Sequence, residues 1–457
     1  MSSAVDRRSF LHGVSVAGFG ILAQGRRAWA GGLAPNEVLN IACIGIGGKG
    51  KSDSQHASRF GKIVAVCDID ERRGAENFER FKDARRFYDY RKLLEEMGSK
   101  IDAVVVSTPD HHHALAAVTA MRMGKHVYCQ KPLTHSVWEA RLMRETAREK
   151  GVCTQMGNQG TAHPGFRRGA EIIRAGAIGE VREVHVWTNR PFKYWKQAPD
   201  IVSRPATTPG IPNHVHWYEF LGPAPDRPYH PVYHPHDWRG WWDFGTGSLG
   251  DMACHTANLA FMALKLGLPT RVSARSGEIN SETYPAWATI TYEFPARGEL
   301  PPVKLTWYEG AKDGQRNLPS TDLFPPGFRP SDSGSLFVGS KGKLYSPSDY
   351  GSDQKLWPES EFKDFKAPEP SLPRINGEGG EDVNQKREWV EAIRAGKPSH
   401  ALSNFEYAST LTESMLLGNV AVRSGEAIDY DPASGRITNS STAGQYLKPS
   451  FRKGWEL

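Results

Sequence analysis

The chain has 457 residues, of which 39% are hydrophobic and 24% charged, and its formal net charge is +6 at pH 7. This length predicts two domains of a globular protein, and no apolar run of about 18 residues is present to predict a membrane span. Residues 1–30 contain four arginines and one aspartate, which leaves a net charge of +3 on the rest. So small a surplus gives no reason to expect a nucleic-acid partner.

Residues 1–30 have the features of a twin-arginine export signal. Arg7 and Arg8 precede a mildly apolar, glycine-containing stretch, and residues 28–30 are Ala-Trp-Ala, a small-x-small cleavage pattern. The alternative is an amphipathic first helix of the mature domain. We predict export to the periplasm by the twin-arginine machinery, which carries folded proteins, so that a cofactor would be loaded in the cytoplasm.

The cysteine pattern indicates buried free thiols. None of the five forms a C-x-x-C pair, and the first four lie in apolar, strand-like runs; they are Cys43, Cys67, Cys129, Cys153 and Cys254. We predict no disulfide framework and no metal site, because close Cys/His ligand spacing is also missing.

Between Val38 and residue 158, nearly continuous apolar strands alternate with helices. The predicted strands are VLNIACIG, KIVAVCDID, IDAVVVSTPD, KHVYCQKP and VCTQMGNQG; the predicted helices are KSDSQHASRFG, YRKLLEEMG, HHHALAAVTAMRMG and SVWEARLMRETAREKG. This alternation predicts a Rossmann domain over residues 36–158, with a doubly wound parallel sheet.

After about Gly160 the pattern changes, and we predict an α+β domain over residues 159–457 with a largely antiparallel open sheet. Residues 191–245 are predicted to form loops, and alternating strands are predicted between Thr270 and Tyr345. The sequence leaves open whether the late helices EDVNQKREWVEAIRAG and FEYASTLTESMLLGNVAVRSG pack on this domain or on the first. An open sheet face favours a homo-oligomer.

A glycine-rich turn follows the first predicted strand. Gly45, Gly47 and Gly50 form G-x-G-x-x-G, with Gly48 in the same turn, between a strand and a helix. In that context the glycines let the backbone approach a pyrophosphate at the positive end of the helix. The turn therefore predicts a dinucleotide site.

Acidic residues at the end of the second strand bear on which dinucleotide binds. Asp68 lies about twenty residues beyond the glycines, where a carboxylate suits the ribose hydroxyls and repels a 2′-phosphate. We therefore predict NAD rather than NADP. Asp70 is a rival for the same role, and Arg72 and Arg73 weaken the preference.

Three residues are candidates for chemistry. Lys131 follows the fourth predicted strand, at the sheet edge where ligands bind, and a lysine there can hold a substrate hydroxyl. Asp251 and His255 are four residues apart on a predicted helix, hence on one face. Such a histidine can act as a general base, and we expect the Asp251 carboxylate to hold it and to stabilise its charged form, although an isolated Asp/His pair of this kind is more often a surface contact.

The glycine turn, the tripeptide Gln130-Lys131-Pro132 and the D-x-x-x-H helix together resemble the Gfo/Idh/MocA oxidoreductases, which include glucose–fructose oxidoreductase and inositol dehydrogenase. The resemblance covers nearly all of the chain after residue 30. It implies that Lys131, Asp251 and His255 are catalytic and act on a sugar or polyol hydroxyl. The family usually has glutamate at the position of Gln130, and this departure bears on how Lys131 is held.

The resemblance also implies softer assignments. The segment STPDHHHA would cross the cofactor, and MGNQG would link the two domains at the active site. The implied cofactor contacts are Thr108, Pro109, His112, Lys131 and Asn158, and Gln159 is implied near the substrate. The run His111–His113 looks like a metal tract, but a helix cap is the favoured interpretation.

An aromatic stretch in the second domain predicts a sugar site. Aromatic faces stack on pyranose C–H groups while polar neighbours bind hydroxyls. The candidates are His236, Trp238, Arg239, Trp241 and Trp242. The alternative is a cluster that packs the domain interface.

Three functions are compatible with these features. The favoured one is an NAD-dependent oxidoreductase that acts on a hydroxyl of a sugar, polyol or glycoside and keeps its cofactor tightly bound, since no NAD pool exists outside the cytoplasm. The second is an NAD-dependent glycosidase that works by transient oxidation and elimination. The third is a non-catalytic sugar- or nucleotide-binding protein of the same fold.

Overall fold

The computed structural model describes residues 38–192, 194–375 and 377–457. The predicted export signal lies outside these residues. The described chain forms two sheets that carry the α/β and α+β architectures predicted from the sequence. All five cysteines are buried and free, as predicted.

The first sheet is parallel and six-stranded, with the order β3-β2-β1-β4-β5-β6. Its strands are β1 (Leu39–Ile44), β2 (Gly61–Cys67), β3 (Arg85–Phe87), β4 (Ala103–Val106), β5 (His126–Cys129) and β6 (Thr154–Met156). The connecting helices are α1 (Lys49–Ala57), α2 (Glu71–Arg80), α3 (Tyr90–Met97), α4 (Asp110–Arg122) and α5 (Val137–Lys150). Helices cover both faces, which is why central strands such as β4 are apolar throughout.

Sequence analysis missed α2 and β3. Helix α2 is strongly polar and has only Ala75 and Phe78 as apolar side chains, but Asp70 caps it by accepting hydrogen bonds from the backbone N–H groups of Arg72 and Arg73. That N-cap was the available signal. Strand β3 has only three residues at the sheet edge, too few to show a pattern.

The second sheet has ten strands and is antiparallel except where β7 and β10 pair in parallel. Its strands are β7 (Val181–Trp187), β8 (Arg271–Ser276), β9 (Trp287–Phe294), β10 (Val303–Lys312), β11 (Gln315–Arg316), β12 (Gly334–Gly339), β13 (Lys343–Ser346), β14 (Lys355–Trp357), β15 (Ile428–Asp431) and β16 (Arg436–Ile437). Its helices are α6 (Pro164–Arg174), α7 (Trp217–Leu221), α8 (Gly247–Thr256), α9 (Asn258–Leu264), α10 (Gly380–Ala395), α11 (Phe405–Ser424) and α12 (Ser441–Gly444).

The two late helices join the sheets. Helix α10 places Trp389, Val390 and Ile393 in the core beneath β1 and β2 of the first sheet. Helix α11 begins against β6, where the Phe405 backbone N–H donates to the Thr154 hydroxyl, and its buried residues share the core of the second domain. In the described part of the chain, no helix is both long and apolar enough to cross a bilayer.

A buried ion pair fastens α10 to α6. The side chain of Arg167 is fully buried, and its guanidinium lies 2.7 Å from Glu388. The same guanidinium donates to the backbone carbonyl oxygens of Thr161 and Pro373. The Arg167 cation is held by one carboxylate and two carbonyl groups. Removing it would strongly destabilise the fold, because these groups would stay buried without their partner.

We expect Arg167→Met to lower the free energy of unfolding by about 3 kcal/mol, because Glu388 would remain buried without its cation. Urea denaturation at neutral pH measures this change. The control is Arg182→Met, which removes the exposed pair with Glu180 and should cost at most about 1 kcal/mol. Equal losses in the two variants would contradict the interpretation.

Candidate active site

A cavity of about 490 Å³ lies at the carboxyl ends of the first-sheet strands. Its walls come from the turns after β1, β2, β4 and β5 and, opposite them, from α8 and loops of the second domain. This is the edge of an open α/β sheet where ligands bind.

The glycine turn forms one wall of this cavity. Gly45, Gly47 and Gly48 line it, whereas Gly50 lies behind them. A Cβ on Gly45, which has φ +76°, would lie 2.5 Å from the Ser107 carbonyl oxygen, and a Cβ on Gly50 would lie 1.9 Å from the Gly45 carbonyl oxygen. Glycine at these two positions therefore lets β1, β4 and α1 approach closely and leaves the backbone open toward the cavity.

Asp68 lines the cavity and is held by the glycine turn. Its carboxylate accepts hydrogen bonds from the backbone N–H groups of Ile46 and Gly47, each at 2.8 Å. Burial raises the pKa of Asp68. Asp70, the rival candidate, is committed elsewhere, because it caps α2 and lies 2.7 Å from the imidazole of His234.

The predicted cofactor contacts divide into two groups. Thr108, Pro109 and His112 line the cavity, and the hydroxyl oxygen of Thr108 is buried without a hydrogen-bond partner. An open glycine turn, a carboxylate beside it and an unsatisfied hydroxyl fit a dinucleotide. Asn158 does not line the cavity: it donates to the Cys254 carbonyl oxygen and accepts from Ser403, so the structure gives it a place in the domain junction.

The histidine run neither caps a helix nor forms a metal site in the described residues. Helix α4 has Pro109 at its N-cap and no side-chain cap. The Nε2 atom of His111 lies 2.9 Å from the Phe220 carbonyl oxygen. The two ring nitrogens of His113 contact the carbonyl oxygens of Thr108 and Pro132. Across the described chain, no group of three or more His, Cys, Asp and Glu side chains could hold a metal ion. His113 thus ties the turn after β4 to the turn that carries Lys131.

Lys131 and Asp251 meet across the domain boundary. The Lys131 ammonium donates to the Asp251 carboxylate at 2.6 Å and to its backbone carbonyl at 3.0 Å. Two of the three ammonium hydrogens are therefore used, and one remains for a ligand. Asp251 was expected to hold His255, but the Asp251 carboxylate accepts its hydrogen bond from Lys131 instead.

A second cation extends this arrangement. The Arg239 guanidinium lies 3.5 Å from Asp251 and pairs directly with Asp110, which also accepts from the Thr246 hydroxyl at 2.6 Å. Burial alone would raise the pKa of Asp251, but Lys131 and Arg239 together hold it well below its ordinary value. Asp251 therefore stays ionised and fixes both cations at the cavity wall.

His255 is the candidate base. It is buried, lines the cavity, and has its Nδ1 without a partner; its ring packs edge-on against Tyr350 at 4.9 Å between centroids. Burial, followed by the charge of Lys131, lowers its pKa well below the ordinary value. A neutral imidazole with a free nitrogen can accept a proton.

The predicted substrate contacts also divide. Gln159, His236, Trp238 and Arg239 line the cavity. Trp241 is fully buried among Tyr233 and Phe244, and Trp242 packs on Tyr284 at the wall of a separate cavity of about 310 Å³. For these two tryptophans the structure supports the packing alternative.

Several cavity residues were not found from the sequence. They are Lys49, Arg190, Tyr194, Trp195, Asp349 and Tyr350. Apart from Lys49 they lie in irregular segments, where periodicity gives no signal. Lys49 occupies a variable position of the G-x-G-x-x-G pattern, which assigns no role to it.

Gln130 is explained by a neighbour on α1. Asp53 is fully buried, and its Oδ2 accepts hydrogen bonds from the Gln130 amide at 2.8 Å and the Ser107 hydroxyl at 2.9 Å. Its Oδ1 lies 2.8 Å from the ammonium of Lys386 on α10 and 3.1 Å from that of Lys49. A glutamate at position 130 would place a second carboxylate against Asp53, so the amide is the compatible side chain. The side-chain amide oxygen of Gln130 accepts a hydrogen bond from the Lys131 backbone N–H at 3.1 Å, so Gln130 links Asp53 to the candidate catalytic residue.

Comparison with protein families identifies both domains. Residues 39–158 match the model of an oxidoreductase family with an NAD-binding Rossmann fold, and residues 169–299 match the C-terminal α/β domain of the same family, GFO_IDH_MocA. The two segments together make up more than half of the chain.

Individual proteins are similar over shorter stretches. Inositol 2-dehydrogenase of Salmonella paratyphi B is 28% identical over 149 residues, which are 31% of this chain and 44% of that protein. Levoglucosan dehydrogenase of Pseudarthrobacter phenanthrenivorans is 27% identical over 155 residues, 31% of this chain and 39% of that protein. The alignments thus span less than half of these relatives. The aldose-aldose oxidoreductase of Caulobacter crescentus, solved with glycerol, shares the fold with a TM-score of 0.54 at 16% identity, over 86% of this chain and 100% of that one.

We expect Gln130→Glu to lower the free energy of unfolding by about 2 kcal/mol at pH 8, because two carboxylates would then share one buried space. The loss should shrink at pH 5, where one of them can take up a proton. Urea denaturation at both pH values measures the change.

The matched test is the double variant Asp53→Asn/Gln130→Glu, which exchanges the amide and the carboxylate. Its loss in free energy of unfolding should be smaller, by at least about 1 kcal/mol, than the sum of the losses in the two single variants, because the two side chains are in contact. Additive effects in this cycle would show that the repulsion is not the cause.

Proposed function

We propose that this protein, which belongs to the Gfo/Idh/MocA oxidoreductase family, oxidises a hydroxyl group of a sugar, polyol or glycoside with NAD as its cofactor. The observation that carries the proposal is the convergence of Lys131, Asp251 and His255 on one cavity beside the open glycine turn. The names of two relatives, inositol 2-dehydrogenase and levoglucosan dehydrogenase, support the substrate class.

In this proposal Lys131 and His255 share the handling of the hydroxyl. The free hydrogen of the Lys131 ammonium binds the substrate oxygen and stabilises the negative charge that develops there. The neutral imidazole of His255 accepts the hydroxyl proton. The part of Asp251 is to hold the Lys131 ammonium in place through its carboxylate and its backbone carbonyl oxygen.

The cofactor would be held by the first domain. Gly45, Gly47 and Gly48 would face its phosphates, Asp68 would face a ribose, and Thr108 would supply a hydroxyl contact. When bound, a nicotinamide takes up or returns the hydride. Asp68 supports the choice of NAD, because a carboxylate at this position opposes a 2′-phosphate, whereas Arg73 at the same end of the cavity opposes that choice.

We further propose that the protein is exported by the twin-arginine route, acts in the periplasm as a homo-oligomer, and keeps its cofactor bound through successive turnovers. The sequence of residues 1–30 supports export, and export in turn requires a captive cofactor. The aldose-aldose oxidoreductase that shares this fold bears a name that describes such a self-contained cycle, in which one sugar is oxidised and another reduced.

Lys131→Met and His255→Asn should each lower turnover by at least about 100-fold, since each removes a group that assists proton transfer. Myo-inositol, levoglucosan and glucose are the first substrates to test; because the cofactor is proposed to stay bound, the measurement is the single-turnover rate at which bound NAD is reduced, followed at 340 nm. The His255→Asn variant should bind NADH as tightly as the wild type, because His255 does not contact the glycine turn.

Lys100→Met and His400→Asn are matched controls, because both residues are exposed and neither lines the cavity. The pH profile gives a further measurement: as the pKa of His255 is lowered, wild-type activity should persist below pH 6.5 before protonation removes it. Full turnover in either active-site variant would refute the assigned roles, and sugar binding without turnover in the wild type would favour a binding protein.

The mature protein, purified without added nucleotide and then denatured, should release close to one equivalent of NAD or NADH. Mass spectrometry identifies the nucleotide and absorbance at 340 nm gives its redox state. An empty protein would contradict the captive cofactor, while the hydroxyl chemistry would still stand on the turnover test.

A further inference from the structure

One cation near His255, at the side of the cavity that we call the substrate end, has no anionic partner in the described chain. Arg190 follows β7, and its side chain lines the cavity. The guanidinium donates to the amide oxygen of Asn189, which is neutral, and its Nε is buried without a hydrogen-bond partner. A partly buried guanidinium with an unsatisfied N–H is costly, and such a cost is normally offset by a carboxylate or a ligand.

The other cations of this cavity are neutralised or lie elsewhere. Lys131 is paired with Asp251, Arg239 with Asp110, and Lys49 with Asp382. Arg73 is exposed and lies beside Gly48, at the cofactor end. Among the described residues, none forms an ion pair with Arg190.

Arg190 is also held in a fixed position. Its backbone N–H donates to the Thr188 hydroxyl at 3.3 Å, and its carbonyl oxygen accepts from the Gly310 N–H at 3.0 Å. The guanidinium lies over the ring of Tyr194, 3.5 Å from its centroid. A guanidinium is planar, and stacking fixes the orientation of that plane, so that two N–H groups can be presented together to one ligand.

We propose that the substrate is a sugar that carries a carboxylate, and that Arg190 binds this carboxylate while Lys131 and His255 act on a hydroxyl. Only the action of Lys131 and His255 on the hydroxyl rests on the proposed function; the binding of a carboxylate by Arg190 does not. One unpaired guanidinium matches the single charge of a carboxylate, whereas a phosphate dianion would call for a second free cation, which the substrate end lacks among the described residues.

Asp349 lies in the same cavity and, unlike Arg190, favours a neutral hydroxyl group over an anion. Its Oδ1 is buried without a partner, and it forms no ion pair with Arg190. A carboxylate oxygen of this kind accepts a hydrogen bond from a sugar hydroxyl and repels an anion. Arg190 and Asp349 would therefore recognise two different substituents and fix the orientation of the sugar ring.

The test compares acid and neutral sugars in matched pairs: glucuronate with glucose, galacturonate with galactose, and mannuronate with mannose. For at least one pair, wild-type kcat/KM should be at least about tenfold higher for the acid. Arg190→Gln should remove that preference, because it should lower kcat/KM at least about tenfold more for the acid than for its neutral partner. Lys196→Gln is the matched control, because Lys196 is an exposed cation six residues away that does not line this cavity.

Each outcome decides the proposal. Equal or lower activity on every acid, a preference for glucose 6-phosphate over glucuronate, an equal loss on both sugars of a pair, or weakened NADH binding in Arg190→Gln would each overturn it. If no sugar is turned over, calorimetric binding separates the two proposals. Binding of an acid that Arg190→Gln abolishes would support the carboxylate site while the proposed oxidation fails, and no binding of any acid would overturn the carboxylate site as well.

Discussion

Asp53 is the group on which the geometry of the cofactor side depends. It is an ionised side chain at the centre of a folded core, where burial alone would raise its pKa, yet Lys386 and Lys49 lower the pKa below the ordinary value. Its two oxygens are contacted from α1, from the end of β4, from the turn after β5 and from α10. Because a buried charge is tolerated only when its partners are in place, these four elements have one mutual arrangement.

A comparable constraint acts on the substrate side. Three successive ion pairs link Asp110, Arg239, Asp251 and Lys131, in that order, so that negative and positive side chains alternate. The series runs from α4 through a second-domain loop and α8 to the turn after β5. Each side chain belongs to a different segment: the two outer members, Asp110 and Lys131, come from the first domain, and the two inner ones, Arg239 and Asp251, from the second. The position of the Lys131 ammonium is therefore a property of the domain interface, and a shift of one domain against the other would move it away from any hydroxyl.

The sequence predicted the elements whose signals are local. Apolar strands, the glycine turn and the D-x-x-x-H spacing were each sufficient to place β1, the dinucleotide turn and Asp251 with His255. What it could not show were contacts that depend on the tertiary fold. Nothing near Gln130 indicates a partner on α1, and the loop that carries Arg239 has the same aromatic composition whether its tryptophans face a ligand, as Trp238 does, or fill a core, as Trp241 does.

The placement of Lys386 has a consequence for how the protein is made. The Lys386 ammonium that compensates Asp53 lies more than 300 residues later in the chain, so an α1 that forms before α10 is made has only the Lys49 ammonium to pair with the Asp53 carboxylate. The first sheet cannot reach its final packing until α10 has been translated and has docked beneath it. A nucleotide that requires this packing would consequently be captured late, by a nearly complete chain, and the dinucleotide half would be a poor module to transplant without the helix that closes it.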